Sequence, residues 1–214
     1  MIYHPIARLK QAGITDILIV TGRDHMGDVM ALLGSGHSFG LGFTYKVQDQ
    51  AGGIAQALGL ARGFCSGDSC CVILGDNVFE DDLAPAVQAF VKQGPGARLL
   101  LKQVDDPERF GVAELAPDGR ILGIEEKPQH PRSNYAVTGI YLYDNRVFDI
   151  IDTLRPSHRG ELEITDVNNA YIAAGTCTCA VLKGWWTDAG TFPSLRRATD
   201  LAADLHLDIS EEGC

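Results

Sequence analysis

Two aspartates stand where apolar runs stop. Asp76 ends the run Val72–Ile73–Leu74–Gly75 in "CVILGDNVFEDD", and Asp188 follows Trp185, Trp186 and Thr187 in "KGWWTDAGT". A carboxylate aimed out of the end of a buried strand is a ready oxygen ligand for Mg²⁺, which takes one or two carboxylates and leaves other positions to phosphates and water. Each residue also has an ordinary use. Asp76 suits a turn in which it satisfies nearby backbone amides, and Asp188 suits the N-cap of a helix starting near Thr191. Two strand-end aspartates raise the metal reading, but their separation in sequence does not set them face to face.

Other groups fit a phosphate-bearing ligand. In "IEEKP", Glu125, Glu126 and Lys127 close a strand before Pro128; Lys127 is either a solvated lysine with a weak ion-pair neighbour or a point charge for the phosphate of a sugar phosphate. "HRGELEITD" sets Arg159, Glu161 and Asp166 at a helix start, where the dipole favours acids in any case. "QDQAGGIAQA" places Gly52 and Gly53 before a helix, as a plain turn or as room for a flat base to approach backbone. The Gly-x-x-x-x-Gly-Lys phosphate loop and the Gly-x-Ser-x-Gly elbow are both absent.

The elements that must hold these groups follow from hydrophobic periodicity. "DILIVTG", "FTYKVQ", "CCVILGDN" and "ARLLLKQV" read as strands, alternating with helical patterns in "HMGDVMALLGSG", "GIAQALGLARGF" and "EDDLAPAVQAFVKQG". The last of these places acids for its first turn and Lys92 near its end, the order a helix dipole prefers. The alternation predicts an α/β fold with a mainly parallel central sheet covered on both faces. After Val104, "FGVAELAPDGRILGIEEKP" reads as a hairpin about Pro-Asp-Gly and "YAVTGIYLYD" as a further strand, so residues 105–143 form a small β-rich insertion. Helices in "NRVFDIIDTL" and "GELEITDVNNAYIAAG", a strand in "TCTCAVLKG", a helix in "FPSLRRATDLAADL" and a frayed tail "DISEEGC" complete one domain over 1–214.

Bulk properties narrow the partners. A net charge of -10 excludes a nucleic-acid backbone, which needs clustered Lys and Arg, but admits phosphate-bearing small molecules with a divalent cation between. No apolar run approaches the ~20 residues of a membrane span and the start has no signal pattern, so a soluble cytoplasmic protein with no membrane partner is expected. The six cysteines show no Cys-x-x-Cys pair and no histidine at zinc spacing, which predicts buried free thiols in a reducing compartment.

In this order, "LGDN", "DPERFGVAEL", "IEEKP", "SNYAVTGIYLYD", "RGELEITDVNNAY" and "WWTDAGT" resemble the sugar-phosphate nucleotidyltransferases, and among them the bacterial glucose-1-phosphate thymidylyltransferases, from Met1 to about Leu205. The resemblance implies a Rossmann-like three-layer sandwich, Mg²⁺ as cofactor, and often a homo-oligomer. It implies nucleotidyl transfer from dTTP to glucose 1-phosphate, giving dTDP-glucose and pyrophosphate for dTDP-rhamnose-type polysaccharides. It makes Asp76 and Asp188 the Mg²⁺ carboxylates and Lys127 the third catalytic group, gripping the sugar phosphate. Gln48 and Gly53 then contact the base, Gly111, Glu126, Val137 and Tyr141 line the sugar pocket, and Arg159 and Trp186 lie near it. Phe110 stands where the family often has Tyr. The implied chemistry is in-line attack on the α-phosphorus, which rests on positioning and charge neutralisation. Two alternatives stay open: a non-catalytic nucleotide-sugar-binding or regulatory module, and the same transfer with another nucleoside triphosphate or sugar phosphate.

Members of that family open with a strand, a Gly-Gly-x-Gly-Thr-Arg-Leu loop and a Lys-Gln-Leu-Leu-Pro-like segment that hold the triphosphate, and Met1 matches a position after them. The expectation is a start set inside the family pattern, or a remnant, short of roughly 30 residues. Without that Arg, related phosphoryl transfers lose about 10³–10⁵ in rate, and the neighbours of the strand are left with unpaired backbone.

Overall fold

The computed structural model describes residues 1–203 and 205. The chain opens with α1 (Tyr3–Gln11), β1 (Asp16–Gly22), α2 (Arg23–Leu33) and β2 (Gly42–Gln48). It continues through α3 (Ile54–Gly59), α4 (Arg62–Cys65), β3 (Cys70–Ile73), β4 (Asn77–Phe79), α5 (Ala84–Gln93) and β5 (Ala97–Gln103). A hairpin of β6 (Gly111–Leu115) and β7 (Ile121–Glu126) leads into β8 (Tyr135–Tyr143). Then come α6 (Val147–Thr153), α7 (Ile164–Ala173), β9 (Cys177–Val181), β10 (Trp186–Asp188) and α8 (Phe192–Ala202). The expected tail at 208–214, with Cys214, lies outside the described residues.

Strand β8 is the axis of the sheet, buried from Ala136 to Tyr143. It runs antiparallel to β5 along one edge. Its other edge pairs with β3 through Ile140–Tyr143 and with β6 at Ala136. Strand β9 lies parallel on β5, completing a six-stranded sheet, while β1–β2 form a parallel pair and β4–β10 an antiparallel one. The α/β class and its layers are as expected. Parallel pairing occurs at β1–β2 and β5–β9 among the described residues, and the sheet is mixed around β8 because a hairpin, not a helical crossover, feeds that strand.

The layers come from period-two alternation along the strands. Leu99, Leu101 and Tyr141 face a cluster completed by α3, α6 and α7, whereas Leu100 and Ile140 face a second cluster holding Ile6, Leu9, Phe79 and Trp186. The five cysteines described are free, and burial pushes the Cys71 and Cys177 thiols up to about 12, so neither is a nucleophile near neutrality. No helix among the described residues is long and apolar enough to cross a membrane.

Three helix boundaries depart from expectation for local reasons. The helix expected over 53–64 divides in two where Leu60 and Ala61 bond three residues back, to Ala57 and Leu58. Helix α5 starts at Ala84, with no acid in its first turn, because Glu80 and Asp81 accept backbone N–H groups of Lys183, Gly184 and Trp185 instead. Helix α7 starts at Ile164, after a turn in which Gly160 donates to Ser157 and Leu162 to Gly52.

Between β1 and β3 lies an apolar cavity of about 580 Å³, lined by the consecutive residues Asp16–Val20 and Cys70–Leu74. Consecutive lining means that the cavity meets strand edges, not faces, and neither edge has a ladder partner among the described residues.

Helix α1 braces β4 from behind. His4 Nε2 accepts the Phe79 N–H at 3.0 Å, and Arg8 donates to the carbonyls of Phe79 and Glu80 at 2.9 and 2.8 Å. Burial, then the charge of Arg8, pushes the His4 pKa down to about 4. An unfolded histidine titrates near 6.5, so the unfolded chain binds the extra proton first: stability is full above that pH and drains as pH falls towards 4. In urea titrations, His4→Gln is expected to flatten the stability profile between pH 6.5 and 4 by up to about 1.4 kcal/mol per pH unit. Equal slopes in the two proteins would remove His4 from this account.

Candidate active site

The register of β4 on β10 sets Asn77 opposite Asp188, Val78 opposite Thr187 and Phe79 opposite Trp186. Asp76, one residue before β4, is thereby brought to Asp188, and the Ala189 N–H donates to the Asp76 carbonyl at 2.8 Å. Their side chains converge on Gly190: a Cβ there would stand 3.3 Å from Asp76 Oδ2 and 3.5 Å from Asp188 Oδ2. The missing side chain leaves an opening that both carboxylates face.

Buried Asn77 fixes that arrangement. Its Nδ2 donates to Asp76 Oδ1 at 2.9 Å, and its Oδ1 accepts the Gly139 N–H at 2.9 Å and the Trp186 indole N–H at 2.7 Å. Gly139 of β8 has no room for a side chain, since Asn77 Nδ2 lies 2.6 Å from where its Cβ would be. Thr191 and Ser194 cap α8 reciprocally, which leaves Asp188 free of the N-cap role open to it in the sequence. No third acid, histidine or cysteine completes a protein cage among the described residues. Two carboxylates about one opening suit Mg²⁺, whose remaining ligands are phosphate and water.

Lys127 adopts φ 45, one of two non-glycine residues with positive φ among those described, and its N–H donates to the Phe110 carbonyl at 3.0 Å. Such a conformation costs about 1–3 kcal/mol and persists where the surroundings impose it. The neighbouring Arg159 is held by Glu126, Glu161 and Glu163 at 3.8, 3.1 and 2.7 Å, whereas Lys127 forms no ion pair among the described residues. The Arg159 hydrogen bond, with a smaller contribution from the charge of Lys127, holds the Glu163 carboxyl below its usual range, so Arg159 is a neutralised strut and Lys127 the less committed cation.

Glu126 accepts from the Thr165 hydroxyl at 2.6 Å, and the Cα of Gly111 lies over the pair, where a Cβ would come within 3.4 Å of both oxygens. Val137 and Tyr141 share one face of β8. Burial, then the charges of Glu126 and Asp76, push the Tyr141 phenol well up, and its hydroxyl makes no hydrogen bond among the described residues. Trp186 is buried, with its indole N–H donated to Asn77 and its ring edge-on to Phe110, so it supports the carboxylate loop from behind.

At the far end, Gln48 Nε2 donates to the Gly53 carbonyl at 3.1 Å and to Gln56 Oε1 at 2.8 Å, leaving Gln48 Oε1 as an unused acceptor. Gly53 has φ 96 and would set a Cβ 2.4 Å from the Leu162 carbonyl oxygen. Its small size therefore serves packing onto the 161–162 turn, which ties the Gln48 end to the Arg159–Glu126 cluster. Sequence reasoning missed Asn77, Thr165 and Gly190, because each acts through a partner remote in sequence. The only sequence signal was adjacency to Asp76 for Asn77 and to the "TDAG" stretch for Gly190.

Comparison with known proteins matches residues 1–204 to a family model described as nucleotidyl transferase. A glucose-1-phosphate thymidylyltransferase of Neisseria meningitidis is 40% identical over 221 residues, spanning 99% of this chain and 77% of that protein. A crystal structure described as a glucose-1-phosphate thymidylyltransferase of Bacillus anthracis, with sucrose, is 58% identical, with TM-score 0.93 over 97% of this chain and 84% of that one. UDP-glucose pyrophosphorylase with UDP-glucose shares the fold at TM-score 0.81 and 21% identity, over 94% and 85% of the two chains.

Two variants test the geometry. Gly190→Ala should weaken Mn²⁺ binding, read by electron paramagnetic resonance, by roughly tenfold or more, the scale for disturbing a metal ligand's support; unchanged affinity means that the carboxylates do not share a cation. Lys127→Gly should exceed Lys127→Ala in stability by about 1 kcal/mol, since glycine alone relieves the left-handed backbone. Equal stabilities would mean that the turn carries no strain.

Proposed function

The chain belongs to the nucleotidyl transferase family, and from that premise we propose that it transfers the thymidylyl group of dTTP to glucose 1-phosphate, giving dTDP-glucose and pyrophosphate. The convergence of Asp76 and Asp188 on the space left by Gly190 carries this reading. It supports a divalent-cation site, and Glu126 with Thr165 offers acceptor oxygens for sugar hydroxyls.

Asp76 and Asp188 hold Mg²⁺, which supplies neutralisation of phosphate charge when bound. Lys127, unpaired and set by its backbone, orients the phosphate of glucose 1-phosphate so that one oxygen points at the α-phosphorus of dTTP. The bond from that oxygen to phosphorus forms as the bond to the pyrophosphate oxygen breaks. No proton transfer is required of the protein, because the attacking phosphate is already anionic. Glu126 and the Tyr141 hydroxyl meet sugar hydroxyls, with Gly111 and Val137 shaping the wall beside them. Gln48 Oε1 accepts the imide N–H of a pyrimidine base; uracil and thymine offer that donor and cytosine does not. The protein works in the cytoplasm as a soluble enzyme and assembles as a homo-oligomer.

The test is pyrophosphate release by the 214-residue protein with dTTP, glucose 1-phosphate and Mg²⁺. Turnover is expected, falling by about 10²-fold or more in Asp76→Asn, Asp188→Asn and Lys127→Ala. Tight binding of dTDP-glucose with no turnover would replace the enzyme with a nucleotide-sugar-binding module.

A further inference from the structure

Arg109 has no part in the mechanism above, yet it touches Asp188, one of the two carboxylates. It ends a single 3-10 turn, Pro107–Arg109, just ahead of β6. Its guanidinium lies 5.0 Å over the Phe110 ring, one nitrogen donates to Asp106 at 2.7 Å, and another sits 3.3 Å from both oxygens of Asp188. A divalent cation at Asp188 and this guanidinium need the same oxygens. Resting on the cation and phosphate roles proposed above, we propose that Arg109 is a placeholder: it occupies Asp188 until a divalent cation arrives, then turns the freed nitrogen to the phosphate group that comes with the cation.

The physical case has three parts. Two carboxylates facing one opening repel, and a guanidinium beside them relieves that repulsion before any cation binds. The contact at 3.3 Å is longer than the 2.7 Å contact to Asp106, so the Asp188 arm is the one that exchanges while Asp106 and Phe110 hold the other end. A planar guanidinium presents the same fork to phosphate as to carboxylate, so the released nitrogen has an equivalent partner at hand. Arg109 is therefore a positioning residue that couples cation arrival to phosphate capture.

Mn²⁺ titration without nucleotide is the test, on the full chain. Arg109→Ala should bind Mn²⁺ roughly two- to fivefold more tightly at low ionic strength, the gain shrinking as salt is added. Arg109→Lys, which keeps the charge, should stay near wild type. The gain should persist in Asp106→Asn/Arg109→Ala, where no carboxylate has been released to serve as a new ligand. With Mn²⁺ saturating, Arg109→Ala should bind dTDP-glucose roughly tenfold more weakly. Unchanged or weaker Mn²⁺ binding in Arg109→Ala, or loss of the gain in the double variant, overturns the placeholder. If Asp188→Asn abolishes Mn²⁺ binding while Arg109→Ala leaves it unmoved, only the placeholder falls; if Asp188→Asn is without effect, the cation site itself is wrong.

Discussion

The three-residue pairing of β4 with β10 is the contact on which the site depends, because it alone carries Asp76 and Asp188, over a hundred residues apart in the chain, to one opening. A two-stranded ladder this short is not stable by itself. Polar groups on every side reinforce it. His4 and Arg8 take up the backbone of Phe79 and Glu80 from α1, Glu80 and Asp81 gather the N–H groups ahead of β10, and Asn77 bonds Trp186 across the pair. Much of the polarity of the segment 76–82 is thus spent on strand placement, and one carboxylate oxygen, Asp76 Oδ2, is left facing the opening.

Charge in the site is apportioned in the same spirit. Arg159 is surrounded by three glutamates and serves as a strut; Arg109 is divided between Asp106 and Asp188; Lys127, the third cation of the site, forms no ion pair among the described residues. A chain of net charge -10 can receive polyanionic ligands only where its cations are not already neutralised, and these distances separate Lys127 from the two employed arginines. Exposed pairs such as these contribute little to stability. Their effect is on where charge is available, which is what phosphoryl transfer requires.

Much of this was legible in the residues. Apolar runs alternating with helical spacing marked most strands and helices, and the ordered strings around Asp76, Lys127, Arg159 and Asp188 marked the family. What failed to show was local competition. Two of the acids expected for the first turn of α5, Glu80 and Asp81, were drawn away to the backbone before β10 while Asp82 accepts the Ala84 N–H, and the tight 57–61 turn broke one helix into two. The hydrogen bond from the Trp186 indole to Asn77 was also invisible, because the two residues lie far apart in sequence.

Residue type and periodicity by themselves determined the α/β class and the kinds of ligand group present, since burial pattern and ionisation are properties of each short stretch. Which carboxylates meet, which cation remains unpaired and which glycine exists to make room were decided only by the tertiary structure. Those outcomes depend on strand register and on ångström-scale distances between segments that no local pattern encodes.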